Sequence, residues 1–384
     1  MAERRPVAER LPVFPWDRLA PYKETAARHP DGIVDLSVGT PVDPVPERLR
    51  AALAAAADSP GYPLTYGTRE LRESAAGWLE RRHGVRVDPA AVLPTIGSKE
   101  LVAWLPTLLG LGAGDTVVYP ELAYPTYDIG IRMAGATPVA ADGLVQLGPT
   151  RPGLLWINSP ANPTGRVLGA DHLRKVVSWA RERGVVVASD ECYLDLGWDT
   201  RPLSILHPDV CGGSHEGLLA VHSLSKRSNL AGYRAGFVAG DAGLVGELLA
   251  VRKHAGMIVP APVQAAMRAA LDDDAHAVEQ KERYAARRVL LRGALERAGW
   301  NITHSEAGLY LWAAHPDHDA WGSVRLLAEQ GVLVAPGEFY GPAGVGHVRV
   351  AFTAADERVA AAVKRLEALD RGASVLREGG ERSE

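Results

Sequence analysis

The sequence predicts an α/β protein, with a mostly parallel seven-stranded sheet covered by helices on both faces and a smaller α+β domain after it. Seven short apolar runs recur between Ala91 and Ala239, and helical patterns separate several of them. Strands that alternate with helices are typical of a parallel sheet. The runs are continuously apolar, as expected for strands that are buried on both faces. Beyond Ala239 the pattern changes to long helices with occasional strand-like runs, which indicates a second domain.

Each element of the larger domain has its own signal. Strands are predicted at residues 91–94, 116–119, 137–140, 154–158, 185–189, 218–221 and 236–239. Apolar residues at helical spacing predict helices at residues 47–57, 68–82, 101–109, 171–183, 243–251 and 274–298. The glycine-rich run at 110–114 follows a helix instead of opening one, so we interpret it as a helix stop and not as a nucleotide-binding loop.

The division of the chain follows from changes in composition. Seven prolines and one short apolar run lie in residues 11–46, so residues 1–45 are predicted to form an extended N-terminal arm. Residues 46–260 would form the large domain and residues 261–370 the small one. Strand-like runs of the small domain lie at 309–313, 332–335 and 347–352. The polar, glycine-containing residues 371–384 are predicted to be a disordered tail.

Composition and charge argue against several classes of protein. The chain has 384 residues, a net charge of -4, and lysines and arginines that are spread along its length, which disfavours nucleic acid as a partner. Two cysteines and no metal-binding spacing disfavour a disulfide framework and a metal site. No apolar run reaches the roughly 18 residues that a membrane helix needs, and no signal-peptide core follows the charged first residues. We therefore expect a soluble, cytoplasmic protein.

The most informative stretch surrounds Lys226. The apolar run before it, residues 217–221, places this lysine where a buried strand ends and the chain turns into a pocket. Ser223 and Ser225 just before the lysine offer hydroxyl groups, and Arg234 eight residues after it offers a guanidinium group. A lysine that forms a Schiff base with a cofactor aldehyde, next to donors for the cofactor's phosphate, is the arrangement that pyridoxal 5'-phosphate (PLP) requires.

Two other interpretations of this stretch compete. Residues Ser223–Lys226 also spell Ser-x-x-Lys, a motif of penicillin-binding nucleophiles, but its Ser-Asp-Asn and Lys-Thr-Gly partners do not occur in the chain. The second interpretation is an ordinary surface lysine in a glycine-rich loop. The choice between them depends on the rest of the sequence.

Polar residues also follow other predicted strands. Turn residues at Asn158–Gly165 close one strand, and the next strand ends with Asp190. In α/β folds, ligands bind at the carboxyl ends of strands, so these residues either serve a ligand or cap the local backbone. Ser98 opens a predicted helix after Gly97, where it is either an anion-binding residue or a plain N-cap.

Gly39 and Arg349 are two further candidates. Gly39 follows a short apolar run, so its backbone N–H can approach a ligand closely, although a simple turn before Pro41 explains it equally well. Arg349 alternates with Val348 and Val350 in a predicted strand, so its side chain is expected on the opposite face from the valines. The alternative is a solvated arginine.

Taken in order, these motifs resemble the PLP-dependent aminotransferases of fold type I, the aspartate aminotransferase fold. The resemblance runs the length of the chain and rests on Asn-Pro-Thr-Gly at 162–165, Asp-Glu-Cys-Tyr at 190–193, Ser-Leu-Ser-Lys at 223–226, Arg234 and Arg349. A narrower similarity, to bacterial N-succinyldiaminopimelate aminotransferases, rests on residues 14–17, 35–44, 121–128 and 252–257. One departure from that pattern is the lack of an asparagine between Arg252 and Gln264.

The resemblance implies a role for each candidate residue. Lys226 would carry the Schiff base, and Asp190 would keep the cofactor's ring nitrogen protonated. Asn162 and Tyr193 would hold the ring oxygen, while Tyr124 would stack on the ring. The phosphate would bind to Ser98, Lys99, Ser223, Ser225 and Arg234. The α-carboxylate of the substrate would bind to Gly39, Asn162 and Arg349. Tyr62 would reach the phosphate of a neighbouring subunit, which implies a homodimer with shared sites.

The same resemblance implies a reaction. The enzyme would convert N-succinyl-LL-2,6-diaminopimelate and 2-oxoglutarate into N-succinyl-2-amino-6-oxopimelate and glutamate, in lysine and diaminopimelate biosynthesis, with Lys226 as the general base and acid. The main alternative is another aminotransferase specificity, such as aromatic, alanine or LL-diaminopimelate. A PLP-dependent β-lyase is a weaker one. Transcription regulators of this fold carry an N-terminal winged helix, of which this sequence has no trace. Candidates to read the distal part of the substrate are Arg227, Arg252, Lys253 and His254.

Overall fold

A central sheet, a smaller sheet and a short strand pair form the framework of the computed structural model, which describes residues 6–380. The strands are β1 (Val34–Asp35), β2 (Val92–Ile96), β3 (Thr116–Tyr119), β4 (Thr137–Ala140), β5 (Leu154–Asn158), β6 (Val186–Asp190), β7 (Leu218–Ser223), β8 (Ala235–Gly240), β9 (Asn301–Thr303), β10 (Tyr310–Ala314), β11 (Val332–Leu333), β12 (Ala335–Pro336) and β13 (Val348–Ala351). The α-helices are α1 (Ala20–Ala27), α2 (Glu47–Ala55), α3 (Arg69–His83), α4 (Ser98–Leu108), α5 (Thr126–Ala134), α6 (Ala170–Arg183), α7 (Pro208–Cys211), α8 (Ala242–Ala255), α9 (Ala261–Leu271), α10 (Ala275–Arg297), α11 (Ala320–Glu329) and α12 (Asp356–Gly380).

The central sheet has seven strands in the order β2-β8-β7-β6-β5-β3-β4. Its pairs are parallel except those of β8, which runs antiparallel to both of its neighbours. The predicted fold class is therefore confirmed. The register pairs Asn158 with Asp190 and Asp190 with Val221, so the carboxyl ends of β5, β6 and β7 meet at one edge of the sheet.

Burial on both faces explains the continuous apolar runs. Leu154 and Trp156 of β5 pack into a cluster with residues of α4 and α5. Their neighbours Leu155 and Ile157 pack on the other side, with residues of α3 and α6. Since successive side chains of a strand point to opposite faces, every residue of such a strand must be apolar. Strands of this composition thus require helices on both faces of the sheet.

The N-terminal residues are more structured than the predicted extended arm. They contain α1 and β1, and β1 pairs in parallel with β11 of the small domain. Leu19, Val34 and Leu36 are buried in the same core as the small sheet, whose order is β12-β13-β10-β9. The short apolar run, and not the prolines around it, decides this placement, because it pairs with β11 and buries Val34 and Leu36.

Two other boundaries differ from the sequence prediction. Helix α9 follows residue 260, yet its Met267, Ala270 and Leu271 pack in the core of the large domain, so the change of core falls after α9. The last helix continues through Gly380, where a disordered tail was expected from residue 371; the alanine, leucine, arginine and glutamate of this stretch are good helix formers. Residues 381–384 lie outside the described part. No helix within residues 6–380 is both long and apolar enough to cross a membrane.

Gly236 lets the start of α4 approach the edge of the central sheet. A Cβ atom at this position would lie 2.9 Å from the backbone nitrogen of Ser98 and 2.9 Å from the carbonyl oxygen of His222. Both neighbours are backbone atoms, which cannot move aside as a flexible side chain can. The close approach of β8, β7 and α4 therefore requires glycine here.

We expect Gly236→Ala to lower the free energy of unfolding by roughly 1–3 kcal/mol, the usual cost of overpacking a tight site. Gly246→Ala is the matched control, because Gly246 lies in α8 and a Cβ there would meet nothing within 4 Å; it should raise stability by about 0.5–1 kcal/mol. Urea unfolding of both variants measures the difference. Equal stability of Gly236→Ala and the wild type would show that the contact relaxes without cost.

Candidate active site

Lys226 lies in the turn directly after β7, and its side chain is partly buried. Burial lowers the pKa of its amine, because an ammonium group loses its hydration there. Tyr310 and Cys192 oppose this lowering of the pKa, whereas the positive charges of Arg349 and Arg234 add to it. A lysine amine with a lowered pKa is uncharged in a larger fraction of the molecules, and only the uncharged amine acts as a nucleophile or a general base.

Asp190 ends β6 and is buried. Its Oδ2 atom accepts a hydrogen bond from the Tyr127 hydroxyl at 2.7 Å, and its Oδ1 accepts one from the backbone N–H of Cys192 at 3.2 Å. Burial raises the pKa of Asp190, although these hydrogen bonds oppose the effect. Both donors are neutral, so a cationic group of a ligand would gain strongly from lying next to this carboxylate.

Arg349 on β13 is also buried, between two aromatic rings. Its guanidinium carbon lies 4.0 Å from the ring centre of Tyr310 and 4.7 Å from that of Tyr340. Nη1 donates to Asn162 Oδ1 at 2.8 Å and Nη2 donates to the Ser37 carbonyl at 2.7 Å. Its Nε has no hydrogen-bond partner within the described residues. Since a buried donor is costly to leave unpaired, the site favours an added acceptor such as a carboxylate.

Gly39 lies beside this arginine site, where the Tyr310 side chain occupies the space that a larger residue would need. A Cβ atom on Gly39 would lie 2.5 Å from the Tyr310 hydroxyl oxygen. That hydroxyl is 3.1 Å from the hydroxyl of Tyr193. The structure thus brings Gly39, Tyr193, Asn162 and Arg349 together, through Tyr310.

The expected phosphate-binding residues gather at the start of α4 and in the turn after β7. Ser98 is the first residue of α4, and the Arg234 guanidinium packs against the preceding Gly97, where a Cβ would lie 2.6 Å from Nη2. In the turn, Ser223 Oγ accepts a hydrogen bond from the Ser225 backbone N–H at 3.1 Å. Hydroxyls, a guanidinium and a helix N-terminus form a donor set that fits a phosphate.

The aromatic candidates occupy different places. Tyr124 lies just before α5 and is partly buried, and the Lys99 amine is 6.0 Å from its ring centre. The Tyr62 side chain is 99% exposed, so it contacts almost nothing in its own chain and is not part of this cluster.

Several residues of the site were missed by sequence reasoning. Tyr127 stands one helical turn after Tyr124, and this spacing is the only local signal for it. Tyr310 and Tyr340 lie in the small domain and have no local signal at all. Asn158 donates through Nδ2 to the Asp190 carbonyl at 2.9 Å and accepts at Oδ1 from the Asn162 N–H at 2.8 Å, and so fixes the end of β5 against β6.

Two of the candidates for distal recognition are paired within the protein. The fully buried Arg252 donates to both carboxylate oxygens of Glu100, at 2.8 and 3.2 Å. Arg227 donates to Asp195 at 2.7 Å and is equally shielded from a ligand. The structure therefore argues against these two candidates, because a basic residue next to a motif gives no information on whether its charge is already neutralised. Lys253 and His254 are exposed on the last turn of α8.

A lysine with a lowered pKa, a buried acid and a set of donors that fits a phosphate, at the carboxyl edge of a parallel sheet, are the groups expected in a PLP enzyme. The model of the family "Aminotransferase class I and II" matches residues 31–366. The chain therefore belongs to the class I and II aminotransferases, which depend on PLP. No group of His, Cys, Asp or Glu in the described part of the chain is arranged to hold a metal ion.

Three similar proteins illustrate the range of this family. The chain is 67% identical to a probable aminotransferase of Mycobacterium tuberculosis, over 94% of this chain and 86% of that protein. It is 61% identical to the 4-dedimethylamino-4-oxo-anhydrotetracycline transaminase OxyQ of Streptomyces rimosus, over 93% and 99% of the two chains. The solved structure of a probable N-succinyldiaminopimelate aminotransferase from Thermus thermophilus matches with a TM-score of 0.83 at 31% identity, over 93% of this chain and 100% of that chain.

Glu191, the residue after Asp190, forms a buried pair with His222 of β7. Glu191 Oε1 accepts a hydrogen bond from the Ile205 N–H at 2.7 Å, and Oε2 lies 3.7 Å from His222 Nε2. Burial raises the pKa of Glu191 to about 7 and lowers the pKa of His222 to about 3. The pair is thus neutral in mildly acidic solution, with the proton on the glutamic acid and none on the histidine.

The raised pKa of Glu191 predicts a specific loss of stability with pH. Its stabilising contribution is complete below the unfolded value of 4.5 and is lost as the pH rises through about 7, at a slope of about 1.4 kcal/mol per pH unit in between. Glu191→Gln removes this titration, so its free energy of unfolding should fall less than that of the wild type between pH 5 and pH 8. Urea unfolding of the apo protein at several pH values measures this.

Glu216→Gln serves as the control, because Glu216 is an exposed glutamate in the same part of the chain. Its pH dependence should run parallel to that of the wild type. A Glu191→Gln curve that also runs parallel would show that Glu191 is already ionised at pH 5.

Proposed function

We propose that this aminotransferase converts N-succinyl-LL-2,6-diaminopimelate and 2-oxoglutarate into N-succinyl-2-amino-6-oxopimelate and glutamate, in diaminopimelate and lysine biosynthesis. The observation that carries the reaction type is the buried Arg349, whose Nε is unpaired within residues 6–380 and whose positive charge also contributes to the lowered pKa of Lys226. An amino acid would place its carboxylate on Arg349 and its α-carbon near Lys226. The specificity is supported by the sequence resemblance and by the similar protein of Thermus thermophilus.

Each residue of the cluster has a place in this proposal. Bound PLP supplies a protonated ring that withdraws electrons from the substrate's α-carbon. Asp190 would hold the proton on the ring nitrogen, while Asn162 and Tyr193 would hold the ring oxygen. Tyr124 would pack on the ring face. The phosphate would be held by Ser98, Lys99, Ser223, Ser225 and Arg234.

Lys226 and Arg349 would have different roles: Lys226 would transfer the proton and Arg349 would bind the substrate's carboxylate. The Lys226 amine would take the proton from the α-carbon of the substrate as general base and would then transfer it to the cofactor as general acid. Arg349, with Gly39 and Asn162, would hold the carboxylate in place through a bidentate pair. Glutamate and the diaminopimelate derivative share only this amino-carboxylate end, so one clamp must serve both half-reactions.

A second candidate is the amination of a polycyclic ketone. The observation that favours it is the 61% identity to an anhydrotetracycline transaminase along 99% of that enzyme. Glutamate would still need the arginine clamp as amino donor. The two candidates therefore share the half-reaction between glutamate and 2-oxoglutarate and the chemistry of Lys226, and they differ in the other substrate.

We propose a homodimer with shared sites as the working form. The 99% exposed Tyr62 side chain lies in a loop with the 67% exposed Leu64, so two large side chains of this loop are accessible to a partner. Tyr62 would reach the phosphate site of the other subunit.

A substrate panel tests the proposed reaction. Purified enzyme loaded with PLP should show its highest kcat/KM with N-succinyl-LL-2,6-diaminopimelate and 2-oxoglutarate, compared with LL-diaminopimelate, alanine, phenylalanine and the oxo-anhydrotetracycline with glutamate. Lys226→Ala is the control; it should lose both turnover and the visible absorbance of lysine-bound PLP. A preference for the tetracycline ketone would establish the second candidate instead, and a colourless wild type would refute the role of Lys226.

Arg349→Lys separates recognition from chemistry. Lysine keeps the charge but lacks the planar fork of donors, so kcat/KM should fall by at least about 30-fold in both half-reactions, which corresponds to roughly 2 kcal/mol. The absorbance of bound PLP should be unchanged. Stopped-flow spectroscopy follows each half-reaction, with Arg325→Lys on exposed Arg325 of α11 as the control. Loss of only one half-reaction, or loss of PLP, would argue against a common clamp.

Mixing two inactive variants tests the shared site. If Tyr62→Phe is strongly impaired, a mixture of Tyr62→Phe and Lys226→Ala should regain part of the activity, because hybrid dimers contain one site with both native residues. Native mass spectrometry confirms that subunits have exchanged. Hybrid dimers without activity, or a fully active monomer, would contradict the role of Tyr62.

A further inference from the structure

We infer that a buried hydrogen-bonded chain, Asp43–Gln280–Asn229, sets the position of Lys226 relative to Arg349. This inference rests on the proposed function, since it assumes that both groups act on one substrate. Asp43 follows the segment of Ser37 and Gly39 that borders the arginine site, and Asn229 follows Lys226 in its turn. Gln280 lies on α10 between them. The hydrogen-bond partners of these three side chains include none of the expected cofactor donors described above, so they are positioning residues.

Asp43 is anchored firmly to α10. Its carboxylate accepts two hydrogen bonds from Arg287, at 2.8 and 2.6 Å, and one from Gln280 Nε2 at 2.7 Å. Burial tends to raise the pKa of Asp43, but the hydrogen bonds from Arg287 and Gln280 outweigh it and keep the pKa below its usual value. The carboxylate is therefore ionised, and its three bonds are of the strong, charge-assisted kind.

Gln280 can transmit position because its amide has one orientation. Its Nε2 donates to the Asp43 carboxylate, while its Oε1 accepts from Asn229 Nδ2 at 2.8 Å. A flipped amide would set its oxygen against the carboxylate and its NH2 group against the NH2 group of Asn229. Neither contact would be a hydrogen bond. The two ends of the chain are thus tied through a fixed group.

Asn229 holds the lysine turn at the other end. Its backbone has a φ of 54°, and its side chain is buried. Besides Gln280, its Nδ2 donates to the carbonyl of Pro44 at 3.4 Å. The Tyr284 hydroxyl of α10 lies 3.5 Å from both Asn229 Oδ1 and the Lys226 carbonyl. The turn that carries Lys226 therefore contacts helix α10 and the segment of Asp43 and Pro44. This segment follows Ser37 and Gly39, which border the arginine site.

The consequence is a fixed spacing between the two groups that act on the substrate. Lys226 must reach the α-carbon while Arg349, which donates to Ser37, holds the carboxylate. A misplacement of about 1 Å can cost about 100-fold in rate. Loss of the chain should therefore lower kcat although no group that touches substrate or cofactor is removed.

Asn229→Gly is the decisive variant, because glycine adopts a positive φ freely and only the side-chain amide is lost. We expect kcat for the glutamate half-reaction to fall at least about tenfold, with the absorbance of bound PLP retained. In the apo protein, hydrogen exchange of the amides at 224–230 should become faster. His304→Gly, at an exposed residue with the same φ of 54°, should leave kcat unchanged.

Gln280→Leu breaks both links of the chain while keeping its volume, and it tests the inference independently if Asn229→Gly folds poorly. The two substitutions should be strongly non-additive, with the double variant no slower than the slower single one. A wild-type kcat in Asn229→Gly, or losses that multiply, would overturn the inference. An inactive wild type would refute the proposed function instead, and hydrogen exchange at 224–230 would still decide whether the chain holds the turn.

Discussion

Burial of the central sheet on both faces is the constraint on which the rest of the structure depends. Leu154 and Trp156 of β5 enter one core, and Leu155 and Ile157 enter the other. Such a strand has no room for polar side chains along its length, so they can appear only where it ends. Because β5, β6 and β7 are parallel, their polar ends share one edge, and the lysine turn lies next to Asp190.

That edge is stable only because distant parts of the chain supply partners for its buried charges. Asp190 depends on Tyr127 of α5, and Arg349 of β13 depends on Asn162 and on the Ser37 carbonyl. An unpaired charge in such a place would cost several kcal/mol. The small domain and the N-terminal segment therefore contribute Arg349 and the Ser37 carbonyl to the site. The hydrogen bonds from Asp43 through Gln280 to Asn229 likewise connect the lysine turn to distant parts of the chain.

Sequence reasoning succeeded where the physical requirement is local. A strand buried on both faces leaves a continuous apolar run, so all seven strands of the central sheet were predicted within a few residues. It failed where the outcome depends on a partner far along the chain. The apolar run at Ile33–Val38 was predicted as part of an extended arm, but its Val34 and Asp35 pair with β11. Arg252 was predicted as a ligand-binding candidate, but Glu100, 152 positions away, neutralises it.

The sequence by itself determined the fold class, the sheet and the identity of the chemical groups, because apolar periodicity and short motifs such as Ser223–Lys226 encode them within a few residues. The tertiary structure alone decided which of the candidates meet and which charges are left unpaired. It placed Tyr310 against Gly39, Tyr340 over Arg349 and Gln280 between Asp43 and Asn229. These contacts join residues far apart in the sequence, and packing geometry, which no local pattern records, selects them from many residues of similar type.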